Sequence, residues 1–371
     1  MSNRPILVAL VVVCAASAVA LRGQVAPAAP TPPPAAVPAK APDAAPLYRA
    51  AVADLKRAFA EADGSPELPM AGGEAAPKLR FTEPEWAPLV AQASTALGTF
   101  AQAARLPGCD FGPAKDPMDI GYTELEIPLW HLALLTAAHG WQRLASLAPG
   151  EAAHDAATLL RHARHLGDEP SAFAVHVANE VERLGVSLLQ ASATTAEHGA
   201  KVLELCRREL TEHAERRGGR PQIVAHVQAE VRRMLRATVA AVQKAGGGAG
   251  GGAPQDELLR SRGAAVLART EAIVDGWLLP LAASGEIDLP AALAVLGKQV
   301  AAARKDADPK TVRANLGNWP PERAVEASAT IFALMLMPQV DELLTRHAAA
   351  GAELAACREA LGPAATVESS K

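Results

Sequence analysis

From Leu47 onward the apolar residues recur at alternating steps of three and four, and a chain with that period buries its hydrophobic stripes only by packing helix against helix. Val177, Val181, Leu184 and Leu188 form one such stripe, and Val224, Val227, Val231 and Met234 another. Composition agrees: about 23% of the residues are alanine, the strongest helix former, and only 4% are aromatic. Proline and glycine punctuation predicts helices over 47–62, 84–106, 128–147, 150–166, 170–192, 195–217, 220–244, 255–283, 289–305 and 321–361. The expected fold is all-α, an irregular multi-helix bundle or array of antiparallel helical hairpins with about ten helices. Pro128 is expected in the first turn of its helix, Gly150 as a cap between antiparallel helices, and Pro338 as a kink in the last segment.

The N-terminus has the form of a secretory leader. Arg4 precedes an unbroken apolar run from Ile6 to Ala16, and Ala18 and Ala20 supply the small residues a signal peptidase reads. Residues 1–20 are therefore expected to be a signal peptide cleaved after Ala20, or alternatively an uncleaved anchor. Residues 21–46 are expected to be a disordered Ala/Pro spacer, with prolines at 27, 30, 32, 33, 34, 38, 42 and 46 that forbid a helix. A helical domain over 47–244, a glycine-rich linker over 245–254, a second helical lobe over 255–361 and a disordered tail over 362–371 complete the expected organisation. The implied location is exported, periplasmic or cell-envelope, or else anchored in the inner membrane and facing outward.

Without the leader three cysteines remain, so at most one internal bridge is available. Cys206 and Cys357 fall at helical spacing with leucines and read as small buried hydrophobes, whereas Cys109 sits in a loop, free to pair with either. The loop Cys109-Asp110-Phe111, the turn Glu126-Ile127-Pro128-Leu129 opening a helix, and a last helix through Leu354-Ala355-Ala356-Cys357-Arg358 follow the leader and spacer. In this order the chain resembles a group of uncharacterised exported bacterial helical proteins without an assigned activity. It departs from them after Gly362, where Pro363-Ala364-Ala365 replaces a Gly-Pro-Leu continuation. The resemblance implies an exported helical fold and nothing about chemistry.

The most suggestive side chains lie on the helix expected over 150–166. At 100° per residue, Glu151, His154, Asp155, Thr158, His162 and His165 share the face opposite the stripe Ala152, Ala156, Leu160 and Ala163. His154, His162 and His165 are the candidate metal ligands, and Glu151-x-x-His154 has the spacing used in di-iron bundles. His154 and His162 are about 12 Å apart along the axis, however, so one ion cannot take all three, and a solvated face is the competing reading. His176 with Glu180, and Glu209 with His213, read as surface pairs. The acidic loop Cys109–Glu126 lacks the alternating order of a calcium site. The arginine-rich stretch 201–236 is interleaved with glutamates and has no aromatic platform, so no nucleic acid partner is expected; an acidic lipid surface or acidic protein suits it better. Recognised nucleophile, phosphate-loop, zinc-protease and haem motifs are missing from the sequence. The expectation is a non-enzymatic structural or partner-binding protein of the cell envelope with no cofactor; the alternative is a metal or small-ligand binding bundle.

Overall fold

A computed structural model describes residues 42–60, 68, 81–112, 123–195, 199–245, 254–283, 288–337 and 340–362. The leader with Ala20, the spacer through residue 41, the glycine run 246–252 and the tail from 363 lie outside the described residues. Among the described residues the protein is all-α, with no strand and one isolated bridge between Asp43 and Gly108. In chain order the helices are α1 (Ala45–Ala60), α2 (Trp86–Gln92), α3 (Ser94–Ala104), α4 (Thr123–Ala145), α5 (Pro149–Gly167), α6 (Ala172–Thr195) and α7 (Ala200–Arg216). They continue as α8 (Arg220–Ala245), α9 (Pro254–Ala283), α10 (Leu289–Asp306), α11 (Pro309–Asn315), α12 (Pro321–Leu336) and α13 (Val340–Leu361).

Contacts divide the chain into two compact units, and the division differs from lobes at 47–244 and 255–361. One unit comprises the described residues of 41–230, 279–289 and 339–371; the other comprises those of 231–278 and 290–338. The C-terminal helix α13 thus belongs with the first helices, because its buried face of Leu343, Leu344, Leu354 and Cys357 packs on α6 and α7. By length and hydropathy the stretch Pro321–Leu361 could cross a membrane, yet 47% of its apolar window is buried within the protein.

In the larger unit α5 is the central helix. It packs most extensively on α6, its antiparallel neighbour, and also on α4, α7 and α3. Alanines and two glycines permit this density. A Cβ on Gly185 of α6 would lie 2.9 Å from Leu160 Cδ2 and 3.2 Å from Leu159 Cβ of α5, and one on Gly140 of α4 would overlap Leu188 of α6. Around them Leu132, Leu134, Leu135, Leu159, Leu188 and Leu189 are inaccessible to solvent; each such side chain contributes about 1.5–3 kcal/mol through burial. Of the two predicted stripes Val177, Val181, Leu188, Val224, Val227 and Val231 are buried, and Leu184 and Met234 are half-buried.

Several boundaries moved for local reasons. The α4–α5 turn is capped by Leu147 rather than Gly150, which lies inside α5 after Pro149. Leu147 takes a left-handed φ of +58°, the Ala148 N–H donates to the Arg143 carbonyl at 2.9 Å, and the Leu147 N–H donates to that of Leu144 at 3.0 Å. This is a Schellman closure with leucine where glycine is the favoured residue. Helix α4 begins at Thr123, so Pro128 lies within it. The segment read as 84–106 breaks at Ala93 into α2 and α3, and the last segment is divided into α12 and α13; Pro338, expected as its kink, lies outside the described residues.

The smaller unit has its own apolar clusters. Leu235, Val239, Leu259, Val266, Ala329 and Phe332 form one, and Ala307, Val312, Leu316 and Ala324 another. Arg232 pairs with Asp275 at 2.9 Å, Arg269 with Glu326, and the Arg323 guanidinium lies 4.5 Å from the centre of the Trp319 ring.

Candidate functional site

The polar face predicted on α5 does not behave as one surface. Its N-terminal half remains at the periphery, where His154 is exposed and Asp155 accepts from Arg143 at 3.1 Å. Its C-terminal half is interior: His162 is fully buried and His165 is 5% exposed. The reading of a solvated face is thereby corrected. A helix enclosed by α3, α4, α6 and α7 buries residues on nearly every side, so opposition to one apolar stripe does not mean exposure.

The buried half forms an imidazole–aromatic cluster. The Tyr48 hydroxyl of α1 donates to His165 Nδ1 at 2.9 Å, while His165 Nε2 donates to the Leu106 carbonyl at 3.1 Å. A carbonyl only accepts, so the proton is on Nε2 and Nδ1 is left to receive the tyrosine. The His162 ring centre lies 4.9 Å from that of Tyr48 and 4.6 Å from that of Phe100 on α3, edge-on to the latter. Neither His162 nitrogen has a hydrogen-bond partner. Burial, and secondarily His165, hold its pKa well below the ordinary imidazole range, so the ring is a neutral core element. His154, His162 and His165 are not gathered about a common point, and no group of three or more His, Cys, Asp or Glu with metal-binding geometry exists among the described residues.

Beside this cluster the chain enters the body through Asp43. Its carboxylate accepts from the Ala45 N–H at 3.1 Å and the Asp110 N–H at 3.0 Å, tying the start of α1 to the loop after α3. Glu169 accepts from the Phe111 N–H at 3.3 Å, and burial, opposed by that bond and assisted by Asp110, pushes its carboxyl up to about 7. Cys109 lies in the same region, its thiol raised by burial and by Glu169 and Asp43. Cys109, Cys206 and Cys357 are all free thiols, so neither candidate bridge from Cys109 is present. Of the acidic loop, residues 113–122 with Asp116 and Asp119 lie outside the described residues.

A second polar region joins α5, α6, α7, the first turn of α8 and α13. Glu209, 2% exposed, receives both Nε and Nη2 of Arg161 at 3.2 and 2.5 Å. Glu180, 3% exposed, pairs with Arg346 at 2.8 Å. Glu182 receives Arg217 Nε at 2.8 Å and faces His213 Nε2 at 3.7 Å. Burial alone would raise the Glu182 pKa, but the neighbouring His213 imidazole and the Arg217 guanidinium outweigh it and hold the carboxyl below its usual range. Of the pairs read as surface neighbours on the sequence, Glu180, Glu209 and His213 are therefore interior residues facing other helices, and His176 is half-buried.

His347 completes the network from α13. Its Nδ1 donates to Asn179 Oδ1 at 3.0 Å and its Nε2 accepts from Arg217 Nη1 at 2.8 Å, while Arg217 Nη2 donates to the His347 carbonyl at 2.6 Å. Burial, and then the Arg217 charge, lower its pKa to about 4. Arg164, Asn179, Glu182, His213, Arg217 and His347 help to line a cavity of about 40 Å³, room for one or two waters. Asn179 Nδ2 and His213 Nδ1 have no hydrogen-bond partner there. The buried ion pairs tie α5 to α7, and α6 to α13 and to Arg217 just beyond α7.

Arg217, Arg346, His347 and Asn179 carried no motif. The available signal was Glu180 and Glu182 interrupting the valine stripe of α6, since a carboxylate on a buried face requires a cation from elsewhere in the fold. The basic stretch 201–236 supplies part of that demand: Arg207 donates to the Leu361 carbonyl, Arg208 pairs with Glu209, Arg216 with Glu212, and Arg232 and Arg236 with Asp275 and Glu271. Compared with protein-family models, curated proteins and solved structures, the chain matches none.

Proposed function

We propose that the chain is an exported helical module, presented in the cell envelope on an Ala/Pro stalk, that acts by binding a protein partner. What carries this reading is the commitment of Glu180, Glu182 and Glu209 to arginines of neighbouring helices. Acid–base groups used this way stiffen the body and leave recognition to its outer helix faces. The Arg4-to-Ala20 leader pattern supports export, and the Asp43 tie, one residue after Pro42, is a natural anchorage for a stalk. The test is native mass spectrometry of the protein exported with its own leader, followed by cross-linking in the intact envelope. A mass beginning at Leu21 and a reproducible cross-linked partner are the expected results. A mass beginning at Met1 would make the apolar run an anchor, and substrate turnover by the purified protein with no partner recovered would overturn the proposal.

A second reading is favoured by the unpaired donors of Asn179 and His213 beside the small cavity. In it the cavity takes a small oxyanion or carboxylate. Thermal shifts with formate, acetate and nitrate, abolished in Asn179→Ala, are its signature; identical melting in all three salts and in chloride removes it.

A further inference from the structure

Helices α7 and α13 pack against each other within one compact unit. Cys206 is inaccessible on the buried face of α7, and Cys357 is 2% exposed on the buried face of α13; both belong to the same apolar core. Two contacts define how the helices run. Arg217, just beyond α7, meets His347 in the first half of α13, and Arg207, midway along α7, meets the carbonyl of Leu361 at the end of α13. The helices are therefore antiparallel. Counting back from Arg217 to Cys206 covers eleven residues, and counting forward from His347 to Cys357 covers ten, about three turns in each case. By the Arg217–His347 contact the two thiols stand at the same level of the interface, and by the Arg207–Leu361 contact they are offset by up to about 8 Å along it. A groove lined by Arg207, Leu210 and Thr211 from one side and Ala355, Arg358 and Leu361 from the other adjoins that level. Burial pushes the Cys206 thiol up to about 12, with Cys357 as the next contributor, whereas the acidic neighbours of Cys109 are Glu169, Asp43 and Asp110.

We propose that Cys206 and Cys357 form a disulfide in the exported chain, stapling the C-terminal helix α13 to α7. The proposal rests on the export reading for its oxidising surroundings. The co-reactant is a protein or small-molecule disulfide. One cysteine thiolate attacks a sulfur of that disulfide, forming a mixed disulfide and expelling the other sulfur as a thiolate. The second cysteine then attacks its partner's sulfur in the mixed disulfide, creating the Cys206–Cys357 bond and releasing the oxidant as its dithiol form. Two thiol protons leave and two electrons pass to the oxidant. Buried neutral thiols react slowly, so the bond forms while α13 is still docking. Cys109 is left as the unpaired thiol.

The experiment uses the full chain in two preparations: refolded from denaturant in a glutathione/glutathione-disulfide buffer, and recovered from cells after export with its own leader. Free thiols are alkylated before non-reducing proteolysis and mass spectrometry. In both preparations the expected result is one linked peptide pair containing Cys206 and Cys357, lighter than the reduced pair by about 2 Da, with Cys109 alkylated. Cys109→Ser keeps the link, and Cys357→Ser loses it and leaves Cys206 alkylated. Reduction lowers the thermal midpoint of the wild type and leaves that of Cys357→Ser unchanged. A link involving Cys109, or Cys109, Cys206 and Cys357 all alkylated after refolding in the glutathione buffer, overturns the assigned helix register. A link in the refolded chain with three free thiols in the cell-derived chain overturns the export reading, and the proposal with it, while the register stands.

Discussion

Lowering the pH from 7.5 to 4.5 tests the α6–α7–α13 network through His347. In the folded protein this ring is a neutral acceptor for Arg217, with its pKa lowered from 6.5 to about 4 by burial and by that guanidinium. In the unfolded chain it protonates near 6.5. The stability it contributes is present above pH 6.5 and is lost as pH falls from there through 4, since only the unfolded state takes up the proton in that window. At 1.36 kcal/mol per pH unit the ceiling is about 3 kcal/mol, and about 2 kcal/mol is expected once water near the half-buried ring is allowed for. The measurement is urea unfolding followed by circular dichroism at several pH values, comparing wild type with His347→Gln, whose amide accepts from Arg217 without titrating. The substitution should flatten the loss of stability between pH 6.5 and 4.5 by up to that amount. Glu169 provides a control of opposite sign. With its pKa raised from 4.5 to about 7, the stability it contributes is present below 4.5 and is lost as pH rises through 7. Glu169→Gln should therefore steepen the acid-side loss that His347→Gln relieves. A His347→Gln profile parallel to wild type would refute the assignment of this ring as a neutral acceptor.

The remaining predictions concern packing and caps. Leu147 stands in the left-handed region at the α4–α5 turn, so Leu147→Gly should stabilise the protein by about 1 kcal/mol; an unchanged or lower urea midpoint would mean the exposed leucine has a role in folding that its backbone does not explain. Gly185→Val would drive methyl groups into Leu160 and Leu159, at a cost of about 1–3 kcal/mol, and a melting temperature equal to wild type would mean α5 and α6 lie further apart. Tyr48→Phe removes the donor to His165 Nδ1 and leaves a buried acceptor unpaired, a loss of about 1–3 kcal/mol measured by denaturant titration; a neutral effect would refute this hydrogen bond.

The fold class was legible because it depends on local quantities. The spacing of Val177, Val181 and Leu188, or of Val224, Val227 and Val231, specifies a buried helical face wherever the helix packs, and all six valines and leucines are buried. The α4–α5 cap was less legible because Leu147 adopts a conformation for which its sequence gives no cue.

Local residue spacing thus specifies the helical class and the stripes that form the cores. The tertiary structure decided which polar residues became interior. His162 and His165 share a helical face with exposed His154, yet they meet Tyr48 and Phe100 because α1 and α3 cover only that end of α5. Glu182 and Arg217 are separated by thirty-five positions, and Asn179 and His347 by one hundred and sixty-eight. Helical periodicity determines the direction in which a side chain leaves its own axis; the partner it meets depends on which distant helix is packed there. For that reason the return of α13 to α6 and α7, and with it the arginine and imidazole that complete the buried network, was decided only by the folded chain.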